Sequence, residues 1–378
     1  MNFSNKIIYI ISYEEWGPML MSKHHYAIAL AKHGNKVYFI GQSDKRKRLK
    51  RGEIRLVQTS YSKVTAVEHR IWHPYILKFK AKPVYNFFTF FHLLKITRKI
   101  GEQPDIVWSF DTGNSLPLSF FSKKALKIYM PVDGPFSTKF EMDAASSANI
   151  IFSVADNILD CYKSIPKQKF NLGHGVADSF IQMKTEDSSN SPLRIGYSGS
   201  LLKNDIDTSV FLQIIQQHSD KIFEFWGEYD HTKSSIHLPQ DVSFSTLQFI
   251  DELKKLSHVI LHGPVEMEAL AAGLHSMDAF MVCYDNKDLH NNHKVLEYLA
   301  SGKVVISSYM KQYEGRADFV QMVKNNKDIP ILFTSVVNDL KNHNSVELQS
   351  KRIRFAAQFT YGEQIKKIAS HISSSIVQ

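Results

Sequence analysis

Lys294 and Glu297 are the two side chains of this 378-residue chain whose types and spacing say most about chemistry. A polar loop runs from Tyr284 to His293. An amphipathic run follows, Lys294 to Ala300, with Val295, Leu296, Leu299 and Ala300 apolar. Gly302 stops it, and Val304-Val305-Ile306 reads as a buried strand. A spacing of i to i+3 puts the ammonium and the carboxylate on one face of the first helical turn. A helix start offers free N–H groups and partial positive charge, which suits phosphate, and the lysine adds a full charge. A carboxylate one turn later can accept hydrogen bonds from ribose hydroxyls. The pattern is that of a site for a nucleotide sugar.

Other motifs point the same way. Gly196-Tyr-Ser-Gly-Ser200 follows a strand-like run, and Gly199 and Ser200 would let backbone approach a diphosphate, with Lys203 nearby. Without a ligand the same residues make a tight strand-to-helix turn. Val259-Ile-Leu-His-Gly-Pro-Val265 is a strand entering a Gly-Pro turn, where backbone groups around His262, Gly263 and Val265 can read a base edge or simply turn the chain. His174-Gly-Val-Ala-Asp-Ser-Phe180 fits a hinge. The chain has no G-x-G-x-x-G, which disfavours a nicotinamide dehydrogenase.

These motifs need a frame of alternating elements. Strands are expected at Ile7–Ser12, Lys36–Ile40, Ile54–Val57, Asp105–Phe110, Lys127–Met130 and Asn149–Ser153, then at Arg194–Tyr197, Phe223–Trp226, Val259–Leu261, Ala279–Cys283 and Val304–Ser307. Helical patterns lie between them, at Ser22–His33, Asp207–His218, Met267–Leu274 and His293–Ala300. Strands alternating with helices imply parallel sheets, so the fold class is α/β with two Rossmann-like domains. The expected domains are 1–180, a polar Ser-rich linker at 181–192, 193–350, and a terminal helical stretch, 351–378, packing back on the first domain. Two such sheets facing a central cleft would present their carboxyl edges to ligands.

Bulk properties narrow the partners. Residues 1–180 hold 26 Lys/Arg against 14 Asp/Glu, and residues 181–378 hold 20 against 23. A basic half beside a near-neutral one suggests two partners, one anionic. The chain carries no recognised nucleic-acid motif, so a lipid headgroup or lipid-linked phosphate is the better match. Two distant cysteines, Cys161 and Cys283, without C-x-x-C, fit a reducing cytoplasm and no thiol metal site. Ile7–Ile11 is too short for a signal segment or a membrane helix. The aromatic run Tyr85–Ile96, near Lys78, Lys80 and Lys82, reads as a core helix or as a face resting on an anionic membrane, on the inner side of the plasma membrane.

Taken in order, His174–Phe180, Gly196–Ser200, Leu261–Val265, Ser276-Met-Asp-Ala-Phe280 and His293–Val305 resemble the GT-B glycosyltransferases, near family four. The resemblance covers about residues 150–310 well and the first half weakly. It implies a metal-independent, cofactor-free transferase that takes a nucleotide-sugar donor, UDP-linked by preference. The acceptor would be a carbohydrate or lipid-linked saccharide, in cell-envelope or exopolysaccharide synthesis. Glu297 would hold the ribose, while Gly199, Ser200, Lys203 and Lys294 would hold the diphosphate. His262, Gly263, Val265, Tyr284 and Asn292 complete the donor set. The sequence departs from the pattern at Leu289, where many retaining members carry a second Glu, and at Asn292, where Pro of a Pro-x-Lys is usual.

That departure moves the search for a base into the first half, and leaves retention and inversion both open. Asp133, in Tyr129-Met-Pro-Val-Asp-Gly-Pro-Phe136, follows a strand, as do Asp111 and Glu15. Each also fits a capping or solvated carboxylate. His24 and His25 open the first helix, where surface placement is expected. Two readings of other classes stand beside the transferase: a nucleotide-sugar epimerase on the same scaffold, and a non-catalytic nucleotide-binding subunit.

Overall fold

A computed structural model describes residues 3–17, 20–44, 47–133, 138–182, 191–232, 242–285 and 293–376. The chain divides into two compact units: Met1–His174 with Tyr361–Gln378, and Gly175–Thr360. Most of the expected linker, including 183–190, lies outside the described residues.

Unit 1 is built on β1 (Ile7–Ile11), α1 (Ser22–Lys32), β2 (Lys36–Ile40), β3 (Ile54–Gln58), β4 (Val64–His69), α2 (Leu77–Lys80), α3 (Lys82–Ile100), β5 (Ile106–Ser109), β6 (Leu126–Tyr129), α4 (Lys139–Ser147), β7 (Ile150–Ser153), α5 (Asp156–Asp160) and β8 (Lys169–Asn171). Its eight-stranded sheet has the order β3-β4-β2-β1-β5-β6-β7-β8. All pairs are parallel except the β3–β4 hairpin at the edge. Central strands such as β1 and β5 are apolar runs buried on both faces, as a helix-covered parallel sheet requires.

Unit 2 comprises β9 (Arg194–Ser198), α6 (Thr208–Gln217), β10 (Ile222–Trp226), α7 (Phe244–Lys255), β11 (Val259–Gly263), α8 (Met267–His275), β12 (Ala279–Val282), α9 (His293–Ala300), β13 (Val304–Ser308), β14 (Val320–Val323), α10 (Ile329–Asn338), α11 (Leu340–His343) and α12 (Val346–Ala357). Its six strands are all parallel, in the order β11-β10-β9-β12-β13-β14. The final helix, α13 (Tyr361–Ile376), belongs to unit 1. Ile365, Ile368 and Ile372 enter that unit's core, and Gln364 donates to the carbonyls of Leu172 and His174 at 3.0 and 3.3 Å. The expected terminal stretch began at 351; α12, which covers its first residues, stays with unit 2.

Strands β4, β8 and β14 and helices α2, α4, α5, α7 and α10 lie outside the expected set. The three strands carry polar residues such as Glu68, Asn171 and Gln321, which blur a buried-strand pattern. The aromatic run lies in α3, which is half core and half surface. Tyr85, Thr89, His92, Leu93, Ile96 and Ile100 face inward, while Phe87, Phe90, Phe91 and Leu94 are 38–60% exposed.

Surface placement fails for His24, which is 1% exposed. Its Nε2 donates to the Glu15 carbonyl (3.1 Å), its Nδ1 accepts from the Met21 N–H (3.0 Å), and its ring stacks on Phe39. Burial lowers its pKa to about 4. His69 and His92 form a buried pair, Nδ1 to Nε2 at 3.0 Å, with His69 Nε2 on the Gly41 carbonyl. Burial brings them to about 4 and about 3. All three are neutral in the fold. As pH falls, histidines of the unfolded chain protonate from about 6.5, while these resist until their own lowered values. Stability therefore falls through that window, by about 1.4 kcal/mol per pH unit for each histidine. Urea unfolding at pH 7, 6 and 5 should show a falling midpoint for unit 1; a midpoint constant down to pH 5 contradicts the neutral assignments.

Candidate active site

In unit 2 the chain runs outward from β9 through β10 to β11, then returns to lay β12 on the other side of β9. The strand order switches between β9 and β12, the place where open parallel sheets bind ligands at their carboxyl edge. Gly199 and Ser200 leave the end of β9. Tyr284 leaves β12, and α9 opens shortly after with Lys294 and Glu297.

Contacts unrelated to any ligand fix this edge. Gly199, at φ 153°, donates its N–H to the Trp226 carbonyl (2.8 Å), and Gly227 donates to the Gly263 carbonyl (2.9 Å). Gly227 sits at φ 131°, and a Cβ there would run into the backbone of Gly199 and Ser200. The loops after β9, β10 and β11 are thus packed main chain to main chain, which only glycine at 227 allows.

The helix is tied to the same edge by Tyr298. Its hydroxyl accepts from the Ser198 N–H (2.8 Å) and donates to the Ser198 carbonyl (3.1 Å), and its ring stacks on Phe280 at 4.3 Å. The turn before it carries Lys294 and Glu297, with Nζ 3.1 Å from Oε2 and 3.3 Å from Oε1. Burial lifts the Glu297 carboxyl above its usual range, and Lys294 opposes that rise. From the other end, the fully buried Arg352 donates to the Gly302 carbonyl just beyond α9 and to the His343 carbonyl at the end of α11. Tyr298→Phe should destabilise unit 2 by about 1 kcal/mol or more, because it removes a buried bond and leaves the Ser198 N–H without that acceptor. Urea unfolding of the variant measures it, and an unchanged midpoint refutes the anchoring role.

His262 is half-exposed. Its Nε2 meets Glu224 Oε2 at 2.7 Å, and its ring stacks on Trp226 at 4.7 Å. Glu224, 1% exposed, also pairs with Arg194. Val265 is 39% exposed, and Lys203 is exposed. Tyr284 is buried, with its hydroxyl 3.2 Å from that of Tyr197, so it supports the edge from behind. Asn292 lies outside the described residues, as does Leu289. Sequence reasoning missed Tyr298, Gly227 and Glu224. A tyrosine inside an apolar helix face reads as core. Gly227 alone carried a signal, as a third glycine directly after a strand.

The three candidate bases lie at strand ends of unit 1, in different settings. Asp111 is 2% exposed, and its Oδ2 accepts from the Ser115 N–H at 2.6 Å, closing a turn. Glu15 is ion-paired with Arg48. Asp133 is exposed, and among the described residues its partner is the Tyr13 hydroxyl, which donates to Oδ2. Lys23 lies over the Tyr13 ring at 4.2 Å and pairs with Glu14. Burial, and then the bond to Asp133, raise the Tyr13 pKa strongly, so the phenol keeps its proton.

No protein-family profile and no curated protein matches the sequence. Solved structures match over nearly the whole chain. Sucrose-phosphate synthase from Thermosynechococcus elongatus is 12% identical at a TM-score of 0.67, covering 98% of this chain and 100% of its own. Anabaena HepE, solved in complex with UDP and glucose, is 11% identical at 0.65 over 98% and 100%. A glycosyltransferase from Rickettsia africae is 14% identical at 0.62 over 99% of each chain. Identity this low carries architecture alone, and the architecture is plain: the chain has the GT-B fold.

Proposed function

We propose that this protein is a glycosyltransferase that moves a sugar from a UDP-linked donor to a carbohydrate or lipid-linked saccharide acceptor in envelope or exopolysaccharide synthesis. The observation that carries the reading is the Lys294–Glu297 pair on the first turn of α9, beside Gly199 and Ser200 at the switch point. Glu297 accepts from the ribose hydroxyls. Lys294 and Lys203, with the N–H groups at the start of α9, take the charge that grows on the leaving diphosphate. The HepE structure with UDP-glucose supports a donor of this class on this fold.

A thermal-shift screen against uridine, guanosine and adenosine diphosphate sugars tests it. Ligand stabilisation follows mass action, so the true donor raises Tm at concentrations above its Kd. A chain that none of them stabilises is not a transferase of this kind. Since lysines supply the positive charge in this reading, activity should persist within about twofold in EDTA; loss of turnover restored by added Mg²⁺ or Mn²⁺ assigns that role to a metal instead.

The acceptor side of the reading includes contact with an anionic membrane. Phe79, Phe87, Phe90, Phe91 and Leu94 are exposed on α2 and α3, with Lys80, Lys95, Arg98 and Lys99 on the same helices. Among the described residues no helix is long and apolar enough to cross a membrane. Sedimentation with phosphatidylglycerol vesicles, at low and high salt, tests surface binding.

A further inference from the structure

Strand β11 carries an irregularity at the carboxyl edge of unit 2. Leu261 pairs with Phe225 of β10, but the next pair is Gly263 with Trp226, so His262 is an extra residue in the ladder. Bulges are rare between parallel strands, and they re-aim side chains beside binding sites. Gly263, at φ 74°, supplies the left-handed backbone next to it. β11 lies two strands from β9, about 10 Å at the usual strand spacing. His262 therefore shares an edge with Gly199 and Ser200, at a separation that a ribose can bridge between a diphosphate and its base.

The imidazole is held in one orientation. Its face lies on Trp226, 6° from parallel, and its Nε2 is 2.7 Å from Glu224 Oε2. Glu224 is a buried carboxylate in the middle of a strand, a placement that is costly without partners. Arg194 supplies its counter-charge at the other oxygen, so the pair needs no second cation and a neutral imidazole serves. A carboxylate accepts and cannot donate, which places the proton of the neutral ring on Nε2. Nδ1 is left as a bare acceptor, and it has no hydrogen-bond partner among the described residues. About a third of the side chain stays exposed.

We infer that His262 Nδ1 accepts the ring N–H of the donor's base, and that Glu224, a positioning residue acting through the imidazole, makes the site select bases that carry one. The ligand in this inference rests on the donor reading above; the tautomer rests on Glu224 and Arg194 alone. Uracil offers such a donor at N3 and guanine at N1. Cytosine N3 and adenine N1 bear lone pairs instead, which would face the lone pair of Nδ1. A site built to make a hydrogen bond rejects an analogue that lacks the group far better than a pocket rejects one by size. Uracil and cytosine have nearly the same shape, so that pair isolates the hydrogen bond.

The test titrates UDP, GDP, CDP and ADP into the full chain and reads the histidine tautomer by nitrogen-15 NMR. The wild type should bind UDP or GDP about tenfold or more tighter than CDP or ADP, the cost of leaving such a group unpaired. UDP tighter than GDP assigns uracil, and the reverse assigns guanine. The spectrum should show His262 protonated at Nε2 alone. His262→Phe keeps a ring on Trp226 and removes the acceptor, so its preference for UDP over CDP should disappear. Glu224→Gln turns the pair round. Arg194 has only donors and holds the amide oxygen, the amide N–H₂ faces Nε2, and the proton moves to Nδ1. That variant should lose the preference for UDP over CDP as well, with Nδ1 protonated in its spectrum. Equal binding of UDP and CDP by the wild type, a wild-type preference kept by either variant, or a proton on Nδ1 of the wild type overturns the inference. Should a variant fail to fold, the wild-type preference and tautomer still decide. Binding of UDP and CDP alike leaves the donor reading standing and removes the base readout; binding of no nucleotide removes the donor reading and the base assignment with it.

Discussion

Lys294→Ala should lower kcat for sugar transfer by at least a hundredfold while leaving the urea midpoint of unit 2 within about 1 kcal/mol of the parent. The magnitude follows from the role proposed for the lysine. Breaking the bond to the anomeric carbon leaves a negative charge on the diphosphate, and loss of one preorganised charge partner at such a centre costs about 10²–10³ in rate. The fold should survive because α9 is held by other contacts: Tyr298 on Ser198, and Arg352 beyond its end. A second signature separates this role from mere positioning. Lys294 is what opposes the burial-driven rise of the Glu297 carboxyl. Without it that carboxyl goes up further, so the variant's residual donor binding should be lost at higher pH than in the wild type as the medium is acidified. A wild-type kcat, or a donor pH profile that does not move, removes Lys294 from the site.

Much of the frame behind this pair was open to reading in the sequence. Helix α9 runs His293–Ala300, the span its apolar spacing indicates, because Gly302 stops it and Val304-Val305-Ile306 can only be a buried strand. Gly199 and Lys294 stand at the two sides of the switch point because strand–helix alternation dictates which loops reach that edge. What stayed hidden depends on tertiary pairing. Nothing in the spacing shows that Tyr298 reaches Ser198, a hundred positions away, or that Glu224 in mid-strand would serve both His262 and Arg194. The burial of His24 is hidden for the same reason. Two histidines at a helix start suggest solvent, and only the packing of Phe39 and the Glu15 carbonyl around one of them makes it a neutral core residue. Strand ends alone do not separate the candidate bases, whose partners differ: a turn for Asp111, an arginine for Glu15, a phenol for Asp133.

Asp133, the exposed carboxylate of the three, is the base we propose, and it sets the second large effect. Asp133→Asn should reduce kcat by 10²–10⁴, the range for loss of a general base, with little change in donor Kd or in stability. Asparagine keeps an oxygen that can accept from Tyr13, so the local structure has no reason to shift. Glu15→Gln breaks a pair with Arg48 and should leave kcat within a few-fold. Asp111→Asn weakens the turn that Ser115 closes and should appear as lost stability rather than lost chemistry. The proposed base carries a stereochemical outcome. A base that takes the proton from the acceptor hydroxyl lets that oxygen attack the anomeric carbon as the diphosphate leaves from the opposite face. One such displacement inverts the anomeric centre. Proton NMR of the first product formed from a donor of known configuration reads the outcome directly. An inverted linkage together with a slow Asp133→Asn variant fits a base at the end of β6; a retained linkage, or full turnover by the variant, takes Asp133 out of the reaction.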